Sequence, residues 1–190
     1  MPTQSKEAPG ELALVRAFIN TLDIDLGTDE LADRDTLAAW LEEHGLSAVG
    51  TRADRGDLQR ALAFREALRE LLLCNNDGRP VSATVAVPLD TVAARAGLRL
   101  HVGPDGTMRL EAEGSGVDVA LGRLLVIVYR SMEAGTWPRL KSCRNDTCKW
   151  AFYDHSKNRS GQWCTMSVCG NRQKAKQYRE RHKVAAHQGE

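Results

Sequence analysis

Four cysteines near the C-terminal end constrain this chain more than any other feature. Cys143 and Cys148 are separated by four residues, as are Cys164 and Cys169, and fifteen residues lie between the two pairs. Two short loops of this kind deliver two thiolates each, and structural zinc is commonly held by four thiolates in a closed tetrahedron. We therefore predict one structural zinc per chain, bound by all four cysteines.

Two disulfides are the alternative for these cysteines, and disulfides belong to an oxidising compartment. The N-terminal stretch MPTQSKEAPGE is polar and lacks the apolar region of a secretory signal. No apolar run approaches the roughly 18 residues of a membrane span. These features favour zinc and a cytoplasmic location without membrane contact. Because four protein ligands leave no open coordination position, we expect a structural metal and not an enzyme.

Charge divides the chain at about the same place as the cysteines do. Residues 1–138 contain 14 Lys/Arg against 21 Asp/Glu, whereas residues 139–190 contain 12 against 4. A chain of 190 residues can bury one core and still carry a small module beside it. We predict two domains, residues 1–138 and residues 139–190, of which the second is suited to a polyanion.

Hydrophobic periodicity indicates a mainly helical first domain. Apolar residues at helical spacing predict helices in ELALVRAFINTL, DRDTLAAWLEEHG, DRGDLQRALAFREALRELLLCNNDG and GVDVALGRLLVIVYRSMEAG, and a short helix is expected after Pro88. LRLHV and TMRLEA flank an Asp-Gly turn that is typical of a hairpin. The predicted class is α+β: a helical domain with a small antiparallel hairpin, then a zinc module with a hairpin and a basic helix.

The segment after the last cysteine, GNRQKAKQYRERHKVAAH, is rich in helix formers. Arg172, Lys176, Arg179 and Lys183 lie on one row of that helix, where like charges repel unless an anion compensates them. DNA or RNA phosphates would do so. The predicted nucleic-acid contacts are these four residues together with Asn171, Lys157 and Arg159.

Other roles for the same residues stay open. The basic row could be a solvated face, could neutralise the negative charge of a tetrathiolate site, or could dock on an acidic protein surface. Asn171 could cap the helix instead of contacting a base. Most aromatic residues of the module are expected to cover the metal site, with Trp163 or Tyr153 as candidates for stacking on a base.

The stretch CRNDTCKWAFYDHSKNRSGQWCTMSVCGNRQKAKQYRERHK resembles the CGNR zinc finger, whose name is spelled by residues 169–172. The match includes the four cysteines, the aromatic-Asp-x-Ser run at 153–156, the Trp-Cys at 163–164 and the basic helix. The preceding part is similar to the ABATE domain through ELALVRAFINTLD, DTLAAWL and the apolar helix before RLKSC. The resemblance implies a bacterial, stress-related transcription regulator with a DNA-binding finger.

We expect the N-terminal domain to sense a small-molecule effector or to form a homodimer. Asn20, Thr21 and Asp23 are candidates for an effector site, and helix-end hydrogen bonding is their alternative role. The competing function for the whole chain is a zinc-stabilised protein-interaction module, or a thiol redox sensor that releases zinc on oxidation, without DNA binding.

Overall fold

The structure is a computed structural model that describes residues 6–187, without the side chains of residues 177, 180, 181 and 183–187. It is mixed α+β, as predicted, and helices predominate. The elements in chain order are α1 (Leu12–Asn20), β1 (Leu22–Asp23), β2 (Thr28–Asp29), α2 (Arg34–Glu43), α3 (Arg55–Asp77), α4 (Ala83–Arg95), β3 (Leu98–Val102), β4 (Met108–Ala112), α5 (Gly116–Glu133), a 3-10 turn (Trp137–Arg139), β5 (Leu140–Ser142), β6 (Ala151–Tyr153), a π-helical turn (Met166–Gly170) and α6 (Asn171–His187).

Three antiparallel hairpins pair β1 with β2, β3 with β4, and β5 with β6 in the described part of the chain. The second is the hairpin predicted from the Asp-Gly turn, and its register pairs Leu100 with Leu110. The first was not predicted. Over residues 6–187, no helix has both the length and the apolar character needed to cross a bilayer.

Local signals set the ends of the predicted helices. Asp33 begins α2 and Asp54 begins α3, and each carboxylate accepts a backbone N–H of the first turn of its helix. Gly78 ends α3 in the left-handed conformation, with φ of 64°. These caps satisfy backbone groups that have no partner inside the helix. The long helix therefore begins and ends where its sequence indicates.

The short helix that was expected after Pro88 is longer than predicted. α4 begins at Ala83, so that Pro88 lies inside it. The proline removes one backbone hydrogen bond from the helix. Val85 and Val92, on either side of it, are buried, and α4 contacts both α3 and α5. Tertiary packing therefore extends the helix through a residue that the sequence indicated as its start.

One apolar core joins the helical part to the hairpin that follows it. Its fully buried residues include Phe18 of α1, Phe64 of α3 and Leu121 of α5. The same cluster contains three residues of β5 and β6: Leu140, Ala151 and Tyr153. The boundary between residues 138 and 139 stays a prediction, and the β5–β6 hairpin beyond it shares the core of the helices.

Polar side chains of α1 and α3 bind the backbone of this hairpin region. Asn20 is 8% exposed; its Nδ2 donates to the carbonyl oxygen of Ala151 at 2.9 Å, and its Oδ1 accepts the N–H of Ala151 at 2.8 Å. Arg69 is 3% exposed and donates to the carbonyl oxygens of Ile19 (2.6 Å) and Lys149 (3.0 Å). Because buried polar groups require partners, these bonds hold β6 and the residue after Cys148 against the helices.

We expect Asn20→Asp to lower the free energy of unfolding by about 2–3 kcal/mol, because a carboxylate cannot donate to the Ala151 oxygen and would be buried beside it. The measurement is the thermal midpoint of the zinc-loaded protein. Asn158→Asp makes the same change at an exposed position after β6 and should leave the midpoint unchanged. Equal midpoints for the two variants would contradict a stabilising role for the Asn20 amide.

Candidate metal centre and nucleic-acid interface

Two loops bring the four cysteines together. Cys143 and Cys148 lie between β5 and β6, in a loop that is closed by a hydrogen bond from the Cys143 N–H to the Trp150 carbonyl oxygen (2.9 Å). Cys164 follows the loop after β6, and Cys169 lies in the π-helical turn that leads into α6. Both loops and the start of the basic helix therefore meet at one point.

The positions of the four sulfur atoms fit a tetrahedral zinc site. All four lie within 4.8 Å of one another. The Sγ of Cys164 lies 3.7 Å from that of Cys148 and 3.6 Å from that of Cys169. Zn–S bonds of about 2.3 Å in a tetrahedron place the sulfurs about 3.8 Å apart. All four are free thiols, so the site is built for one structural zinc.

The four thiols cannot all ionise without a cation. Hydrogen bonds from Cys148 and Cys164 lower the pKa of the Cys143 thiol to about 2. The hydrogen bond between Cys164 and Cys143 raises the pKa of the Cys164 thiol to about 12. The hydrogen bond between Cys148 and Cys143 raises the pKa of the Cys148 thiol far above its usual value. A bound zinc ion would compensate the repulsion of four thiolates, and such binding contributes on the order of 10 kcal/mol to folding in small zinc peptides.

A buried ion pair organises the loop between the two cysteine pairs. Asp154 is fully buried and Lys141 is 5% exposed, and Nζ of Lys141 lies 2.9 Å from Oδ2 of Asp154. Asp154 also accepts the N–H groups of Ser156 (3.0 Å) and Gly161 (2.7 Å), while Lys141 donates to the carbonyl oxygen of Arg159. These bonds hold residues 154–161 in one shape.

The hydrogen bonds also control the charge of Asp154. Burial raises the pKa of its carboxyl, but the bonds from Ser156, Lys141 and Gly161 outweigh burial and hold the pKa well below its usual range. This pair was not predicted from the sequence. Asp154 and Ser156 have the spacing of an Asx turn, which could have indicated the aspartate, whereas nothing local distinguishes Lys141.

The structure places the predicted nucleic-acid contacts in two groups. Lys157 and Arg159 are exposed on the loop that Asp154 organises, and Arg159 has a left-handed backbone with φ of 51°. Lys176 and Arg179 are exposed on α6. The side chain of Lys183, the last residue of the predicted row, lies outside the described residues.

Arg172 and Asn171 have partners within the chain. Nη1 of Arg172 lies 2.9 and 2.8 Å from the two carboxylate oxygens of Asp25, in the turn between β1 and β2. Asn171 donates its amide to the Ser167 carbonyl oxygen at 3.0 Å. The alternative role of Asn171 as a helix cap does not hold, because the chain enters α6 from the helical turn that begins at Met166. Its contact with a base stays a prediction. Asp25 was not identified from the sequence, since its partner is 147 residues away.

Asn20, Thr21 and Asp23 all bond within the chain. Asn20 binds Ala151, as described above. Thr21 is buried and accepts a hydrogen bond from Arg65 at 3.0 Å, and Asp23 accepts the N–H of Leu26 at 3.0 Å. Thr21 also donates to the Phe18 carbonyl oxygen at 2.8 Å, which is the helix-end role, whereas Asn20 holds a strand of the finger. The effector site at these residues stays a prediction. A cleft of about 470 Å³ lies elsewhere, between α1, β4 and α5.

We expect Cys164→Ser to abolish the binding of one zinc per chain and to release the two cysteine loops. The apolar core of the helices does not include Cys164, so α1–α5 should stay folded. Elemental analysis measures the zinc, and trypsin should cut after Lys157 or Arg159 in the variant alone. Cys74→Ser, in α3, is the matched control and should retain one zinc. A zinc-free variant with a protease-resistant C-terminal part would contradict the metal's structural role.

Comparison with known families agrees with these observations. The CGNR zinc finger model matches residues 139–182, which contain all four cysteines and the first part of the basic helix. The ABATE model, described as "Putative stress-induced transcription regulator", matches residues 12–132, well over half of the chain. No curated protein matches the chain. The chain therefore belongs to the ABATE family and carries a CGNR zinc finger in its C-terminal part.

Proposed function

We propose that this protein is a transcription regulator that binds DNA through exposed cations of its zinc finger. The observation that carries the proposal is the pairing of charges. Most described arginines of the helical part have an acidic partner within 4.0 Å, as Arg65 has Asp29. Among the described side chains, Lys157, Arg159, Lys176 and Arg179 form no such pair. The finger therefore presents a surplus of positive charge to solvent.

A polyanion compensates such a surplus better than solvent does. Each phosphate that a lysine or arginine neutralises releases counterions from the nucleic acid, and this release favours binding. These four cations, which have no acidic partner among the described side chains, lie on the loop that leads to Cys164 and on the helix that follows Cys169. Because hydrogen bonds to Asp154 and from Lys141 hold the loop before binding, little conformational entropy is lost there when phosphates are contacted.

Arg172 fits a different role from the other cations. The hydrogen bond with Asp25 is the largest cause that raises its pKa, and the thiolates of Cys169 and Cys148 contribute as well. Arg172 therefore offsets charge on the helical part and at the metal site, which is the neutralising role left open by the sequence. We assign the larger part of phosphate binding to Lys176 and Arg179.

The proposed role is binding, without catalysis. Four thiolates complete the coordination of zinc and leave no position for a substrate. In this proposal the protein acts in the cytoplasm, and the helical part supplies the regulatory function as an effector sensor or a homodimer. The metal supplies the fixed shape of the finger.

We expect the double variant Lys176→Ala/Arg179→Ala to bind duplex DNA several-fold more weakly at low salt. The slope of log K against log salt concentration should fall by about 2, because about two phosphate contacts are lost. Fluorescence anisotropy with a labelled duplex at several salt concentrations gives both quantities. Arg99→Ala/Arg109→Ala removes the same charge from the β3–β4 hairpin and is the matched control.

Unchanged affinity and slope in the Lys176/Arg179 variant would contradict the proposal. If the unmodified protein does not bind duplex DNA and peroxide releases its zinc, the redox-sensing alternative is favoured.

We expect Asp25→Asn to raise the affinity for duplex DNA by no more than about five-fold, because an exposed ion pair is weak and its loss frees Arg172 for phosphate. The same anisotropy assay at low salt measures the change. Asp90→Asn, at an exposed position of α4, also removes one negative charge and should leave the affinity unchanged. A decrease in affinity for Asp25→Asn alone would show that the pair orients the finger for binding.

A further inference from the structure

A second cleft, of about 440 Å³, lies on the finger beside the metal site. Trp163 and Met166 supply its large apolar surfaces, and Lys6 closes it from the N-terminal segment. Trp163 also packs against the cysteine cluster, so that one part of the indole covers the metal site and another part lines the cleft. Volumes of this order suit ligands of roughly nucleotide size.

The wall of the cleft is fixed by its own hydrogen bonds. Gly161, which lines it, donates its N–H to the buried Asp154 at 2.7 Å, and a Cβ at this glycine would lie 2.7 Å from the same carboxylate. Lys141 donates to the Gly161 carbonyl oxygen at 3.3 Å. The neighbouring Gln162 accepts the N–H of Arg144 at 3.0 Å. The backbone next to Trp163 is therefore held in place, which reduces the entropy that a ligand must overcome.

The charges around the cleft favour a ligand with an uncharged flat part and an anionic part. None of the described residues that line it is acidic, and Lys6 is at its edge. Lys157 and Arg159 lie on the loop that leads into its wall. A tetrathiolate zinc site carries net negative charge, so an uncharged group is better tolerated beside Cys164 than a phosphate. Serine, threonine and glutamine side chains along the cleft offer hydrogen bonds: Ser160, Thr165 and Gln162.

The second cleft differs in this respect from the cleft between α1, β4 and α5. That cleft is lined by Glu11 and Glu111 as well as by two arginines, so that it has no preference for an anion. Tyr153, the other aromatic residue considered for stacking, is 6% exposed and packs in the shared core. Trp163 is therefore the aromatic surface of the finger that a base can reach in this cleft.

We propose that the cleft binds one unpaired nucleobase, which stacks on Trp163 while the adjoining phosphates are contacted by Lys6 and the loop cations. The shared chemistry is a nucleotide, supplied either by an unpaired position in a nucleic acid or as a free mononucleotide. The nucleic-acid form rests on the proposed function and narrows it, because a finger with this site prefers DNA that contains an unstacked base over a continuous duplex.

The test compares Trp163→Ala with Trp150→Ala, which removes an indole that also packs on the cysteines but does not line the cleft. The zinc-loaded full chain is titrated against a duplex, the same duplex with one bulged thymine, the single strand, and thymidine monophosphate. We expect the unmodified protein and Trp150→Ala to prefer the bulged duplex. Trp163→Ala should bind the bulge and the single strand about 5- to 100-fold more weakly and leave the continuous duplex unchanged. Trp163→Phe, which keeps an aromatic ring, should retain most of the preference.

A crosslinking measurement keeps the test independent of the stability of these variants. With 5-iodouracil at the bulged position, irradiation of the unmodified protein should attach the DNA to the tryptic peptide of residues 160–172, at Trp163. Crosslinking at another peptide alone, or retention of the bulge preference by Trp163→Ala, would overturn the inference.

The outcomes separate this inference from the proposed function. The protein could bind the duplex but show no bulge preference, no crosslink at Trp163 and no mononucleotide binding. That result overturns the base-binding cleft and leaves the proposed DNA-binding regulator in place. The protein could instead bind the mononucleotide, lose that binding in Trp163→Ala, and bind no duplex at any salt concentration. That result supports the cleft with a free nucleotide as its ligand and contradicts the proposed DNA binding.

Discussion

Repulsion between four closely spaced thiolates is the constraint on which the C-terminal part of this protein depends. The sulfurs lie within 4.8 Å of one another, and hydrogen bonds among them lower the pKa of Cys143 while they raise that of Cys164, so the four thiols do not ionise together without a cation. Zinc removes that repulsion and connects two loops with the start of α6. The directions of the basic loop and of the basic helix are therefore consequences of one metal site, whose geometry the chain already matches.

The finger is also joined to the helical part by more than a linker. Leu140, Ala151 and Tyr153 complete an apolar core whose other members come from the helices. The Asn20 amide holds Ala151, and the Arg69 guanidinium reaches Lys149, directly after the second cysteine. A change in the position of α1 or α3 would therefore act on the finger directly. In the proposed regulator, such a joint gives the helical part a short physical route to the finger.

Charge is used differently in the two parts of the molecule. Arg65, like Arg69, is buried and satisfied by acids and carbonyl oxygens, so these arginines fix structure. In the finger, Lys141 serves the same purpose towards Asp154, while Lys157, Arg159, Lys176 and Arg179 face solvent. Buried pairs set the shape of the loop, and the exposed cations beyond them remain available to an anion. Arg172 combines both uses of charge, because its side chain is exposed and is also paired with Asp25.

Features that depend on neighbours in the chain could be predicted. Apolar periodicity located α1, α2, α3 and α5, the Asp-Gly turn located the β3–β4 hairpin, and the cysteine spacing located the metal site. α4 shows where local reasoning fails. Proline is common at the start of helices, but α4 packs on α3 and α5 and begins five residues before Pro88, at Ala83. The capping role of Asn171 failed for a similar reason, because a preceding π-helical turn removed the free helix end.

The sequence by itself therefore determined the helices other than α4, the zinc ligands and the separation of charge, since each follows from residues a few positions apart. Only the tertiary structure decided which cations have an acidic partner among the described side chains, that Tyr153 is buried while Trp163 lines a cleft, and that the finger's hairpin belongs to the core of the helices. Those properties depend on contacts such as Arg172 with Asp25 and Ala151 with Asn20, whose partners lie 147 and 131 residues apart. No local pattern specifies such partners, because folding brings them together.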